Sequence, residues 1–561
     1  MDQDESVRIE VADDLGDGQD SLAGVLRERA DRHGDRLLFA DTPDRAERGL
    51  GTPREMSYLQ ADAAVGRLCE RFREAGLRAD DIIAVQTPNT IETPLLLLAA
   101  WRSGLVPCLM PLLWRLDEID HAFARIKPAA AVACTHYGGE RTAEALREAA
   151  AKHMSVRYVF AFGDDAPDGI APLDDVFLGE GVEAVRDAAS PEIGGTVSEQ
   201  TTVITWSISG SGAHPLPRTH GELIALARYF EATLKLRRSD IVLNPYPFLG
   251  AHALAGQLAA PLLAGSQVRL HLPFDFDVFV RQLEEQDITY TAVPAPVIAA
   301  LEERHNLRTG KLKLSRVGCV WPSPHVVNPD PTPAEPSLPV FDIHGFTERA
   351  VVVRERAPDA DPSLLPLGKV HVPGEDDEQR GEPVLETRVR GSVAKQDSQQ
   401  VLKGTLTVRG ASVPSRSDIF ADEEDQPELA PRPDAHGFID TGIGCYVDET
   451  LGDQFRCKKS EDVIYHGGAV IAAPELDRLY GEFSEFLDAA AFVLDDAVMG
   501  ERILAAVVPR PDQAPSLERL KAFLAERRVA PHKTPDQLVV VKAIPRDHDG
   551  AVMREKILSQ L

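Results

Sequence analysis

Basic residues are in short supply in this chain, as are cysteines and unbroken apolar runs. Its 60 Lys and Arg stand against 89 Asp and Glu, a net charge of −29. Such an excess works against binding nucleic acid or an anionic membrane, since both would repel it. An acidic surface that serves solubility explains the same imbalance. Only six cysteines occur in 561 residues, and no two stand at C-x-x-C spacing. That pattern offers neither a zinc site nor a disulfide framework, as expected of a reduced, cytoplasmic protein. The N-terminus, MDQDESVRIEVADD, is acidic where a secretory leader starts basic. Pro94 to Trp114 approaches membrane-spanning length, but Arg102, Gly104, Pro107 and Pro111 interrupt it. It reads as a buried helix leading into a buried strand.

The length calls for more than one domain, because single cores stop growing at roughly 250–300 residues. The first half alternates strand-like and helix-like runs: DIIAVQTPN, TIETPLLLLAAWRSG, LVPCLMPLL, RLDEIDHAFARIK, AAAVAC, GERTAEALREAA and VRYVFAFG. This alternation predicts parallel sheet with helices on its faces, an α/β class. The rhythm resumes from TTVITWS to LPVFDIHGF. From about residue 355, acidic and proline-rich connections surround short β-like runs such as GTLTVRG. The expected layout is a large N-terminal body, 1–457, whose β-rich subdomain covers about 355–457, and a small α+β lid, 458–561. No internal repeat of fixed period is found.

Six fragments carry chemical meaning in their order. TWSISGSGAHP, from Thr205, alternates glycines with hydroxyl residues, and Thr219-His220 follow it. Glycines let a backbone approach phosphate, and successive N–H groups form an anion nest. The alternative is a Ser/Gly-rich turn joining strand to helix. HGFTE ends at Glu348, GFIDTGIGCYVDE at Glu449; CKKSEDVIYHGGAVIAAPELD opens the C-terminal hundred residues, and VAPHKTPDQLVVVKAIPRDHDGAVMREKIL ends them. Together with GTLTVRG, these resemble the adenylate-forming superfamily of acyl-CoA synthetases, peptide-synthetase adenylation domains and luciferases. The likeness covers nearly the whole chain, and the N-terminal third is most similar to ligases for cyclic or aromatic carboxylic acids. It implies ATP and Mg²⁺ as cofactors, a small-molecule carboxylate as substrate, and coenzyme A or a carrier-protein thiol as acceptor.

Carried over residue by residue, the resemblance places Ser209, Gly210, Ser211 and Gly212 at the phosphates. Thr347 falls at the α-phosphate, and Glu348 on Mg²⁺, where a hard cation needs oxygen ligands. His344 takes the place of an aromatic residue that stacks on adenine. Glu461 lies at the hinge, and Gly467 and Gly468 at the pantetheine tunnel. Tyr246, Phe248 and His252 outline an acyl pocket for an apolar, medium-sized acid. Other positions depart from the family pattern. Leu216 follows Pro215 where the family has lysine, and the connection to Thr219 is two residues shorter; Arg218 is the candidate substitute cation. Ile443 replaces the aspartate that accepts from ribose, and Lys459 replaces an arginine that touches it. Ala551 stands where a lysine bridges carboxylate and phosphate. Trp321, in VWPSPHV, fills space that adenine would need.

Losing one oriented donor costs about 10²–10³ in rate, and three losses predict roughly 10⁴ or worse if they combine even partly. Three readings follow. One is a homologue impaired in adenylation that binds an acyl group, acyl-adenylate or thioester, or partners an active paralogue. Another is a working acid–thiol ligase with stand-in cations. The third is a cleft reused for other chemistry around His220, His252 and His344.

Overall fold

The computed structural model describes residues 21–178, 197–305, 312–321, 325, 338–357, 360–374, 381–396, 399–416, 432–496 and 498–559. Each early alternating run forms the expected element. DIIAVQTPN yields the strand Ile82–Gln86, and TIETPLLLLAAWRSG the helix Glu92–Arg102, every residue of which is buried. The strand Val106–Leu109 after it is buried too. Among the described residues, no helix is long and apolar enough to cross a membrane.

Four sheets organise the chain. A seven-stranded sheet carries the early parallel strands, and its edge is an antiparallel hairpin, Thr201–Ser209 with Gly212–Thr219. An eight-stranded sheet holds Ile241–Asn244, Tyr290–Val293, Arg316–Trp321 and Val340–Phe346 as parallel neighbours, closed at one edge by the antiparallel Ala350–Glu355. A six-stranded antiparallel sheet spans Leu365 to Cys457. The last, five-stranded sheet belongs to the small C-terminal body, from Val463–His466 to Gln537–Val540.

The helix His220–Leu234 packs between these layers, against the helical run Ala251–Ala264 and the strand Ala350–Glu355. Thr219 starts it: its hydroxyl accepts from Glu222 N, and the Glu222 carboxylate accepts from Thr219 N at 2.8 Å. This reciprocal cap satisfies two backbone donors that would otherwise be left over. The C-terminal body keeps separate apolar clusters around Ile464, Leu476 and Tyr480 and around Phe492 and Ile557. It is pinned to the large body by Lys533, only 5 % exposed, whose ammonium reaches Glu118 of the large body and Glu475 of its own, each at 2.6 Å.

Candidate functional site

The Ser/Gly-rich segment folds as the tip of the edge hairpin. Pairing runs along both strands to Ser209 opposite Gly212, so the turn is two residues, Gly210 and Ser211. Gly212 adopts φ 113°, a backbone region that only glycine enters cheaply. The hydroxyls are spent locally: Ser209 Oγ and Ser211 Oγ lie 2.8 Å apart, and Ser211 Oγ lies 2.9 Å from His214 Nε2. A Cβ at Gly210 would meet Asp462 Cβ at 2.9 Å, so the segment leading into the C-terminal body packs on this tip. Strand Ala469–Ala472 of that body also contacts both hairpin strands. A turn so short offers no concave run of N–H groups. Thr219 and His220 are equally committed, the first to its cap, the second to Thr202 Oγ1 at 3.1 Å.

Arg218 corrects the expectation of a swinging substitute cation. It is 1 % exposed; one guanidinium nitrogen donates to Ser412 O and another to Glu348 O at 2.9 Å. It therefore ties the hairpin to the Thr-Glu turn rather than facing the phosphate tip.

That turn is unusual. Thr347 and Glu348 adopt φ 47° and 59°, consecutive left-handed conformations without glycine, each costing on the order of 1 kcal/mol or more. Glu348 is half-buried, and its Oε2 accepts from Ala251 N at 2.6 Å, at the start of a helical run where negative charge is favoured. Desolvation pushes its pKa up, and the Ala251 N–H and Arg218 oppose this. A Cβ at Gly250 would approach Glu348 Oε1 to 2.7 Å, so a larger residue there would displace the carboxylate. Among the described residues, Thr347 Oγ1 donates to Thr441 O at 3.4 Å.

His344 is fully buried and stacks on Trp321, ring centroids 5.8 Å apart and planes 12° off parallel. Trp321 is itself fixed by a 2.9 Å bond to Asp342 and by Arg356 over its ring. One face of the imidazole thus lies toward the indole. Burial drives the His344 pKa down to about 3, against the opposing effect of Asp342 and of the Pro362 backbone. Ile443 is 7 % exposed and joins the main apolar core. Lys459 departs from the ribose expectation: its ammonium pairs with Asp495 and, at 3.1 Å, with Glu501, both in the C-terminal body.

Phe248 is 2 % exposed and belongs to the core, whereas Tyr246 and His252 are half-buried and meet edge to face, centroids 5.5 Å apart. The Tyr246 hydroxyl and His252 Nε2 have no hydrogen-bond partner among the described residues, and the nearby Tyr290 hydroxyl lies beside Gln257. This wall is more polar than the apolar pocket read from the sequence. Glu461 is exposed, and its carbonyl accepts from Arg554 at 2.7 Å. Gly467 and Gly468 form a two-residue turn with φ 56° and 82°, and a Cβ at Gly467 would strike Met499 Cε. Ala551 is exposed in a loop held by Asp547, and Lys556 is exposed as well. Of the VWPSPHV segment, only Val320, Trp321 and His325 lie within the described residues.

No lysine side chain stands at 216 or 551, and Ile443 offers no side-chain hydrogen-bond acceptor. Sequence reasoning missed two features: the Lys533 bridge, whose partner is 415 residues away in sequence, and Arg349, discussed below.

The molecule thus joins a large α/β body with a β-rich subdomain to a small α+β C-terminal body. The comparisons give the lineage: the chain belongs to the AMP-binding enzyme family, whose sequence profile matches residues 26–415, with the family's C-terminal domain matching 475–551. Among curated relatives, it is 26% identical to a salicyl-AMP ligase / salicyl-S-ArCP synthetase of Mycobacterium tuberculosis, over 96% of this chain and 91% of that one. It is 25% identical to a 2,3-dihydroxybenzoate-AMP ligase of Bacillus subtilis, over 96% and 93%. Among solved structures, the amide bond synthetase McbA from Marinactinospora thermotolerans shares the fold, with TM-score 0.73, 17% identity and coverage of 96% and 99%.

Proposed function

We propose that this protein binds a cyclic or aromatic carboxylic acid, or its thioester or adenylate, in the family cleft, and that its own ATP-dependent adenylation is impaired. The observation that carries this reading is that the segment the resemblance assigns to phosphate closes as a two-residue hairpin turn. Leu216, Ile443 and Ala551 support it, since each removes a charged or accepting group from the same half-reaction. The names of the relatives support an aromatic acid, and the unpartnered Tyr246 and His252 atoms support polar substituents on it. In this reading residues 1–457 form the binding body and 458–561 the lid, with Gly467-Gly468 still available to a thiol arm.

A working ligase is the second reading. It is favoured by the Thr347-Glu348 turn, which keeps its strained geometry and leaves one Glu348 oxygen for a cation. Calorimetric titration with ATP and Mg²⁺, then AMP, separates the two, together with pyrophosphate release in the presence of salicylate. No binding below millimolar and no release is the expected result. Micromolar binding with release would replace the first reading with the second.

A further inference from the structure

Beside the Thr-Glu turn lie two buried guanidiniums, those of Arg349 and Arg218, for which no ion pair is found among the described residues. Arg349 is 5 % exposed, and its Nη1 has no hydrogen-bond partner there. Arg218, 1 % exposed, spends its donors on the carbonyls of Ser412 and Glu348. The two cations are close enough to disfavour each other's charge, and burial lowers both, Arg349 to about 10.

The surrounding carboxylates are engaged elsewhere. Asp440, which faces Arg349, accepts from Arg390, from Thr405 Oγ1 at 3.0 Å and from Gly442 N at 2.9 Å. Glu222, which faces Arg218, is held by Thr219 N and by Ser415. Glu348 is held by Ala251 N. Removing a cation from water costs several kcal/mol unless something compensates it, and an unmade hydrogen bond adds to that. In a chain of net charge −29, an unpaired arginine at this depth is a poor choice for stability alone.

We infer that Arg349 is an oxyanion-binding residue beside the Thr-Glu turn, taking the carboxylate of an acyl ligand or a phosphoryl group. Its position carries the argument. It follows Glu348 directly, and Thr347 touches Thr441 on the strand Ile439–Asp448, so Arg349 lies at the junction of the two motif segments. A guanidinium matches both groups through two parallel N–H bonds, which a lysine cannot supply. Neither reading of the function requires this site, and neither excludes it.

The test is calorimetric titration of benzoate, AMP and pyrophosphate into the full chain, its Arg349→Met variant and its Arg349→Lys variant, with melting of each ligand-free protein. At least one probe should bind the unaltered chain. It should lose about 10- to 100-fold in Arg349→Met, as expected for a charged hydrogen bond, and less in Arg349→Lys. Ligand-free Arg349→Met should melt no lower than the parent, because it discards a buried, unpaired cation. Binding of benzoate alone assigns the carboxylate source, and binding of AMP or pyrophosphate alone the phosphoryl source. The inference falls if no probe binds at millimolar concentration, if Arg349→Met binds as the parent does, or if it melts markedly lower. Failure of the impaired-adenylation reading would appear separately, as pyrophosphate release by the parent.

Discussion

Replacing Glu118 by Gln isolates what holds the C-terminal body down. Lys533 is buried between Glu118 and Glu475, and its ammonium stays charged because both carboxylates outweigh the desolvation that opposes it. Breaking a buried pair by removing one partner costs about 3–5 kcal/mol. Here Lys533 keeps Glu475 in either case, and the Glu118 side chain is 12 % exposed, so roughly 1.5–2 kcal/mol is the better figure for Glu118→Gln. The same glutamate caps its own helix through Arg115 N at 2.9 Å, an acceptor role that glutamine retains. Each 1.4 kcal/mol is tenfold in an equilibrium, so detached C-terminal bodies should rise about 10- to 30-fold. Hydrogen exchange reads this at the amides of Ala469–Ala472 and of the hairpin tip, which face each other across the interface. Faster exchange there, with the interior strand Gly500–Pro509 unchanged, is expected. Unchanged protection at the interface would mean that Lys533 serves only its own domain through Glu475, and the reasoning would be wrong.

Glu348→Gln should fold normally, because glutamine can still accept from Ala251 N, and should abolish any Mg²⁺-dependent signal in calorimetry. Leu216→Lys should lower the melting temperature sharply, by several kcal/mol of stability, without restoring adenylation, since residue 216 is 1 % exposed. Ala551→Lys, at an exposed site, should leave melting unchanged and on its own yield no pyrophosphate release. The buried histidines His220, His252 and His344 have pKa values lowered to about 4, 4 and 3 by desolvation. The unfolded chain therefore binds protons that the folded chain refuses. Stability should be full above about pH 6.5 and fall as pH drops toward 4. His344→Phe should flatten that slope in melting curves taken across the range, and an unaltered slope would count against the assignment.

The alternating runs were legible because parallel sheets buried on both faces require near-continuous apolar strands, as in Ala130–Cys134, separated by helices with one apolar face. The order of motifs was legible too, since glycines and caps are read locally: Gly467-Gly468 is a turn by its own conformation. What the sequence withheld was direction and partner. Arg218 looked available because it follows a loop, yet strand pairing carries it into the core beside Ser412, 194 residues away. Trp321 and His344 stack because neighbouring parallel strands place them opposite each other, a register no local pattern states. Tyr246, Phe248 and His252 are neighbours in sequence, but their burial differs, and only packing decides which of them faces ligand.

Leu216 stands opposite Thr205 in the middle of a paired strand, and this fixes how the lineage can change. The family's lysine would serve a longer loop, from which its side chain could extend. In the shortened hairpin the same position is core, so charge and loop length are no longer independent. A lysine introduced first would be trapped in apolar surroundings, and added loop residues introduced first would have no cation to carry. Each single step back loses stability or gains nothing. Placing a cation at this position would therefore mean changing loop length and charge together.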